Sequence, residues 1–490
     1  MNILNYLYSQ IDRAFEILLA SGIDDINYLL QLLLFKRLSD MFEDEDKAKN
    51  TKNSKYNLVQ DKSYYSFFLP QGCRWVDVMR FERKIGERLD EVLNEIENNN
   101  PRLLQEIFNN RKWNTIPDET LKELIDFFSI IDFKNSNLTE KELFGYACEY
   151  LITKDTLRQG LKGGDSTTPK SIAKLLVGLI EPQENMRICD PVCGVGGFLV
   201  ECMHQIKLKG YNLDNVFLYG QDRNIYTYTN AKINLLLHDI YNFDIRLGDT
   251  LLNPQFVDNE KLMRFDRIVA NPPLNLNDWN YDRGKNDIYN RFRYGLPPLK
   301  SADFAFFQHI IATLNETGRA SVITLRGALS RRGAEETIRN NIIKHDLIEA
   351  VIELAPNLLY GSAISAVILV FNRNKTEERK DKIIFIDASN KYEKSKNQYI
   401  LSDENINDIL SAYQNFENQE GYTKVVSTKE LANNDYINLN VNQYVKSFTP
   451  HVDIKSEISK EISKLKNLEV ESAKLSEEIN ESMRALGINI

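Results

Sequence analysis

Residues 186–199 limit what this chain can fold into more than any other segment. A strand-like run, Met186-Arg187-Ile188-Cys189, passes directly into Asp190-Pro191-Val192-Cys193-Gly194-Val195-Gly196-Gly197, after which an apolar helical pattern begins. The glycines permit a tight strand-to-helix turn at positive φ and let a ligand approach the backbone closely. Their spacing is not GxGxxG, and no Lys-Ser/Thr pair follows, which disfavours a triphosphate. The next strand-like run, residues 216–221, ends in Asp222, where the second strand of such a sheet grips a ribose diol. A third, residues 244–247, ends in Gly248-Asp249-Thr250. Acids at three successive strand ends, with a glycine turn at the first, describe the carboxyl edge of a doubly wound α/β sheet, where ligands bind.

A further strand-like run, Phe265-Asp266-Arg267-Ile268-Val269-Ala270, closes on Asn271-Pro272-Pro273-Leu274. At a strand end, the Asn271 amide oxygen and a prolyl carbonyl can both accept hydrogen bonds from one planar amine. This draws the amine lone pair out of conjugation and toward an electrophile, chemistry that fits N6 of adenine. Asn-Pro is also a common turn opener, so the tetrapeptide gains its meaning from the glycine loop upstream.

The ordered set Thr168-Pro169-Lys170-Ser171, DPVCGVGGFL, YGQDRN, NLLLH, RLGDTL, NPPL, ADFAFFQH and NLLYGSAISAVILVF resembles the methylation subunit of type I restriction-modification enzymes. That family comprises S-adenosylmethionine-dependent N6-adenine DNA methyltransferases. The resemblance covers most of the chain and implies a Rossmann-like methyltransferase domain with S-adenosyl-L-methionine as cofactor. It implies that Asp165, Ser166, Thr167, Thr168, Pro169 and Lys170 line the methionine end, together with Asp190, Cys193, Gly194, Val195, Gly196 and Gly197. Asp222 would take the ribose hydroxyls, and Asp249 would meet the adenine amine of the cofactor. Asn271 and the Pro272 carbonyl would hold the amine of a flipped adenine, with Pro273 and Leu274 completing the catalytic motif. Double-stranded DNA, a specificity subunit, a second methylation subunit and a restriction subunit are the implied partners. The chain departs from the family pattern where Ser166-Thr167 replaces an aromatic pair, Leu274 an aromatic residue and Asp222 a glutamate. Leu274 can cover one face of a flipped base without offering a π surface, and Asp222 keeps the carboxylate with a shorter reach.

At 490 residues, with 27% charged and 42% hydrophobic, the chain is long enough for two or three globular domains of roughly 100–200 residues each. Residues 1–160 read as an all-helical domain, with helical spacing over 5–20, over 24–43 and through Ile85, Leu89, Val92 and Ile96. Residues 43–63, charged and without periodicity, read as a surface loop. Residues 161–446 make up the methyltransferase domain, strands alternating with helices to about 387 and residues 399–444 forming a connecting layer. Residues 447–490 form a long helical tail. Ile458, Leu465, Ile479 and Leu486 lie there on a seven-residue frame, with Leu468 and Leu475 beside it, a pattern for coiled-coil contact with another chain. The resemblance places the specificity subunit at this tail, which accords with the lack of room for a separate target-recognition domain.

The net charge of -9 argues against a chain that coats DNA by itself, because non-specific affinity comes mainly from Lys and Arg neutralising phosphates. Local charge differs. Arg283, Lys285, Arg291, Arg293 and Lys300 are interleaved with Trp279, Tyr281, Tyr289, Phe292 and Tyr294, and Arg326, Arg331 and Arg332 form a second cluster. Both follow strand ends on the ligand-binding edge, where DNA contacts around a flipped base are expected; solvated loops are the plainer alternative. His238 and His309 lack a second ligand at metal spacing, so no metal is expected. The five cysteines fit small buried residues of a reducing cytoplasm, and no secretory or lipidation signal is visible. Residues 28–35 are too short an apolar run to span a bilayer. Two other readings stay open: a protein-glutamine methyltransferase, which also uses an NPP motif, and a catalytically silent scaffold of a defence complex.

Overall fold

The computed structural model describes residues 3–52, 65–108, 112–131, 134, 143–158, 167–274, 276–360, 364–395, 398–433 and 436–446, and in the tail 462–463, 465–466, 468–469 and 472–475. The N-terminal part is helical: α1 (Ile3–Ala20), α2 (Asn27–Lys52), α3 (Ile85–Asn99), α4 (Asp118–Ser129) and α5 (Leu143–Arg158). α3 and α4 each bury one apolar stripe, Ile85, Leu89, Val92 and Ile96 on the first and Leu121, Leu124 and Ile125 on the second. α2 is buried all round over its first turns, where Leu29, Leu30, Leu32, Leu33, Leu34 and Phe35 are all inside. Residues 43–52, expected as a surface loop, continue α2 instead. They contain neither Gly nor Pro and include Glu43, Glu45, Lys47, Ala48, Lys49 and Lys52, so a helix already nucleated upstream propagates through them without an apolar stripe.

The rest of the chain alternates helices and strands: α6 (Lys170–Ile180), β1 (Arg187–Asp190), α7 (Gly197–Leu208), β2 (Phe217–Asp222), α8 (Ile225–Leu237), β3 (Phe243–Leu247), β4 (Phe265–Ala270), α9 (Asp303–Thr313), β5 (Leu314–Leu325), α10 (Ala334–Lys344), β6 (Ile348–Leu354), β7 (Ala366–Asn372), β8 (Lys382–Ala388), α11 (Asp403–Asn415) and β9 (Thr423–Ser427). The strands form one nine-stranded sheet in the order β9-β8-β6-β7-β5-β4-β1-β2-β3. From β1 the sheet grows through β2 to β3 on one side and through β4 to β5 on the other, all as parallel neighbours. β7 lies antiparallel between β5 and β6, and β9 adds an antiparallel edge to β8. Residues 399–444, expected as a connecting layer, thus supply a helix and an edge strand of the sheet itself.

Side chains alternate across the strands, and this period of two separates two cores. Ile188, Leu218, Val269, Ile323 and Ile352 face one core, with Ile172 of α6, Leu199 of α7, Leu235 of α8 and Ile409 of α11. Ile268, Ala270, Val322, Val351 and Phe385 face the other, with Phe307 of α9 and Ile342 of α10. The first core is continuous with the N-terminal helices. Buried Arg37 of α2 also pairs with Asp239, just beyond α8, at 3.2 Å. Met1–Val445 form one compact unit and Lys446–Ile490 a second. Of the residues on the tail frame, Ile458, Ile479 and Leu486 lie outside the described residues, whereas Leu465, Leu468 and Leu475 are helical and exposed. Among the described residues, no helix is long and apolar enough to cross a membrane.

Candidate active site

β1 delivers Asp190 to the carboxyl edge, and the turn after it is closed by the Cys193 N–H donating to Gln221 O at 2.9 Å and the Gly196 N–H donating to Cys193 O at 2.8 Å. Gly194 and Gly196 take φ of 51° and 79°, the region that disfavours a side chain. A Cβ on Gly196 would meet Ala231 of α8 at 3.4 Å, whereas one on Gly194 or Gly197 would meet nothing within 4 Å. The loop therefore packs on α8 and opens on its other side to a cavity of about 380 Å³, a volume that suits a nucleotide-sized ligand.

Three aspartates line this cavity. Asp222, at the end of β2, props the glycine loop: its Oδ2 accepts from the Gly194 N–H at 2.9 Å. Its Oδ1 accepts from the Asn224 N–H at 2.9 Å and the Thr227 hydroxyl at 2.7 Å. Asp249, after β3, accepts from the Leu251 and Leu252 N–H groups on Oδ1, both at 2.9 Å, and no partner is seen for its Oδ2 among the described residues. Asp190 is 1% exposed. Its Oδ1 accepts from the Val192 N–H at 3.0 Å, and its Oδ2 is buried without a partner among the described residues. Burial pushes the Asp190 carboxyl well above the ordinary range, with Asp222 adding to the rise and the Val192 N–H opposing it.

Asn271 follows β4 and lies on the cavity wall with Pro273. Its Nδ2 donates to Thr168 Oγ1 at 3.1 Å, joining the segment before α6 to the motif after β4. The neighbouring Thr167 hydroxyl donates to Thr156 Oγ1 of α5 at 3.4 Å. Lys170 pairs with Glu149 of α5 at 3.2 Å and lies over the Tyr146 ring at 4.5 Å. Burial works to raise the Glu149 carboxyl, but His238 and Lys170 outweigh it and hold the group below the usual carboxylate range.

The structure thus brings Thr167, Thr168, Lys170, Asp190, Cys193, Gly194, Val195, Gly197, Asp222, Asp249, Asn271 and Pro273 to one cavity. Pro169 and Pro272 are buried beside it, and Gly196 packs on α8. Leu274 is half-buried against the first core and is not part of the cavity wall, because its apolar side chain is drawn to the core. Asp165 and Ser166 lie outside the described residues.

The sequence reading missed an aromatic wall. Tyr8 of α1 and Tyr150 of α5 stack at 4.3 Å with planes 16° apart, and both line the cavity, as do Trp279, Phe306 and Tyr360. Tyr146 and Tyr150 stand one helical turn apart, a spacing that announces a shared face but not what the face meets.

The basic clusters are less free than they look in sequence. Arg291 is 4% exposed; it pairs with Asp287 at 2.7 Å and donates to Thr250 O at 3.1 Å and Leu251 O at 2.7 Å. It is a strut of its loop and not a DNA contact, because a buried cation is tolerated only with its partners in place. Trp279 and Tyr294 are buried as well. Arg331 pairs with Asp303 and Glu335, and Arg326 with Glu353, which neutralises both. Arg332 lies over the Tyr436 ring at 4.7 Å. Arg283, Lys285, Arg293, Lys300 and Arg332 are exposed. His309 is buried 3.3 Å from Arg291; desolvation and that guanidinium hold its pKa far below the usual value, so the ring is neutral. All five cysteines are free and buried.

Residues 139–452 match the family model of the N-6 DNA methylases, and residues 7–128 match that of the HsdM N-terminal domain. The chain is 32% identical to the type I restriction enzyme MjaVII methylase subunit of Methanocaldococcus jannaschii, over 93% of this chain and 80% of that one. It is 30% identical to the type I restriction enzyme HindI methylase subunit of Haemophilus influenzae, over 82% and 93% of the two chains. Its fold superimposes on the crystal structure of the type I restriction-modification system methyltransferase subunit from Streptococcus thermophilus with a TM-score of 0.75 at 25% identity, covering 90% of this chain and 99% of that one. The chain therefore belongs to the N-6 DNA methylases, in the family of methylation subunits of type I restriction-modification enzymes.

Proposed function

We propose that this chain transfers a methyl group from S-adenosylmethionine to N6 of adenine in double-stranded DNA, within a complex whose specificity subunit selects the site. The observation that carries this reading is the Asn271 amide on the wall of the same cavity as the glycine loop, Asp190, Asp222 and Asp249. The residues present fit the cofactor. Gly194 and Gly197 leave open space where any Cβ would project. Among the described residues, Asp249 keeps one oxygen for a ligand amine, and Asp190 holds a buried orphan oxygen on the same wall. Asp222 already accepts from Gly194, Asn224 and Thr227, which leaves about one acceptor position for a ribose hydroxyl.

When bound, the cofactor supplies a methyl group activated as a sulfonium. Asn271 Oδ1 and the Pro272 carbonyl accept the hydrogens of the target amine and localise its lone pair. These acceptors hold the amine more tightly as it gains positive charge, so they favour the transition state over the ground state. No strong general base is required, because the amine loses its proton after becoming cationic. Trp279, Phe306 and Tyr360 supply the apolar surface for an extruded base that Leu274 does not.

We read the two-way growth of the sheet from β1 as the doubly wound form, and the chain as a helical part (1–160), a methyltransferase part (161–446) and an assembly tail (447–490). Exposed Arg283, Lys285, Arg293 and Arg332 track DNA phosphates. The tail joins the specificity and second methylation subunits of a cytoplasmic complex, with a restriction subunit as a further partner.

A complex purified with its specificity partner and given labelled cofactor and target DNA tests this. Label should enter N6 of adenine, and Asn271→Ala should cut transfer about a hundredfold or more while sparing cofactor affinity. Equal transfer by Asn271→Ala sinks the mechanism. Binding of both ligands without transfer by the wild-type complex makes the chain a scaffold.

A further inference from the structure

The Asn271 amide has two ends of similar size, and the proposed chemistry works with one of them. The oxygen accepts hydrogens from an amine, whereas the NH2 end would meet that amine donor to donor. Thr168 Oγ1, 3.1 Å from Nδ2, is the group that sets the amide over. Both residues are half-buried and both line the cavity.

Thr168 is itself held from two sides. Pro169, with φ of −55°, caps α6 and accepts from the Ala173 N–H at 3.0 Å. Thr167 reaches Thr156 of α5 through the hydroxyl contact at 3.4 Å. A rigid proline and a helix of the N-terminal part thus fix the hydroxyl that fixes the amide. We propose that Thr168 is a positioning residue: by holding Asn271 Nδ2 it turns Oδ1 toward the target base and so makes the site prefer a base that bears a 6-amino group. The proposal rests on the adenine-N6 reading above and extends it to selection of the base.

A hydroxyl can also donate. The amide turned over would place Oδ1 on Thr168 and present NH2 to the cavity, and such a site would favour a 6-oxo base. The two arrangements therefore predict opposite preferences.

The test uses the complex with its specificity partner, with S-adenosylhomocysteine in place of the methyl donor so that no transfer intervenes. Target duplexes carrying adenine, unsubstituted purine or hypoxanthine at the reacting position are titrated, and affinity ratios within each variant cancel the general DNA contacts. The wild type should favour adenine over hypoxanthine. Thr168→Val removes the hydroxyl at nearly constant shape and should lower the adenine-to-purine ratio by about fivefold or more. Thr168→Ser keeps the hydroxyl and should preserve the ratio, a rescue that a purely packing role would not give. An unchanged ratio in Thr168→Val, loss of the ratio in both variants, or a wild-type preference for hypoxanthine overturns the proposal. Methyl transfer by the wild-type complex with intact cofactor, measured in parallel, keeps failure of this proposal apart from failure of the adenine reading.

Discussion

Asp222 uses one carboxylate twice, bracing the glycine loop through the Gly194 N–H and facing the cavity where a ribose would lie. Asp222→Ala should therefore show two effects in one sample. Losing the ribose contacts of a carboxylate should cost about 1.5–3 kcal/mol, roughly tenfold to a hundredfold in cofactor affinity. Losing the loop brace should lower the melting temperature as well. Calorimetry with a thermal melt reads both, and unchanged affinity would place the cofactor elsewhere. Asp222, Asp249 and the glycine loop were legible in sequence because a strand followed by a turn is a local property. Arg291 was not, since its partners include the backbone oxygens of Thr250 and Leu251, which no side-chain pattern reveals. Its sequence neighbours Lys285 and Arg293 are exposed, so proximity along the chain gave it a surface role that the fold denies it. Leu274 departs from its expected place for a related reason: a residue beside the Asn-Pro-Pro turn still follows its own apolar side chain into the core.

Among elements, the loop between β4 and α9 shows how charge divides between architecture and contact. Arg291 and Asp287 form a buried pair inside it, with side chains 4% and 6% exposed, while Arg283 stands outside. Arg291→Ala strands a buried carboxylate and should cost about 3–5 kcal/mol, visible as a lower denaturant midpoint. Arg283→Ala should leave stability within about 0.5 kcal/mol but weaken DNA binding uniformly across sequences, with the salt slope reduced by about one. If Arg283→Ala destabilised the fold, or if Arg291→Ala weakened DNA binding without destabilising it, the assignment of the two arginines would be reversed. Element boundaries were less legible than element order. Residues 43–52 lack apolar periodicity and still continue α2, because propagating a helix asks less of a sequence than nucleating one. The strand at Thr423–Ser427 was hidden because an edge strand at the end of a sheet needs only a short apolar run.

For the molecule as a whole, the two ends of the chain behave differently. The N-terminal helices share a core with the sheet and carry Tyr8 and Tyr150 into the cavity wall, so they are part of the site itself. The second unit is Lys446–Ile490. Ile462, Leu465, Leu468 and Leu475 lie there in helical turns, each more than half exposed. Spacings of three and seven place such residues on one helical face. An apolar row of this kind is stabilised when another helix covers it, and the proposed partner is the specificity subunit. Deleting residues 454–490 should then leave cofactor affinity and the melting temperature of the remaining chain unchanged, because both cores and the cavity lie within Met1–Val445. Co-purification with the specificity subunit should be abolished. Leu465→Asp with Leu468→Asp should do the same without shortening the chain, since charges on the row remove its burial while the backbone length is kept. Loss of cofactor binding on deletion would show that the tail supports the site, and retained complex formation by both variants would assign the apolar row to packing within this chain.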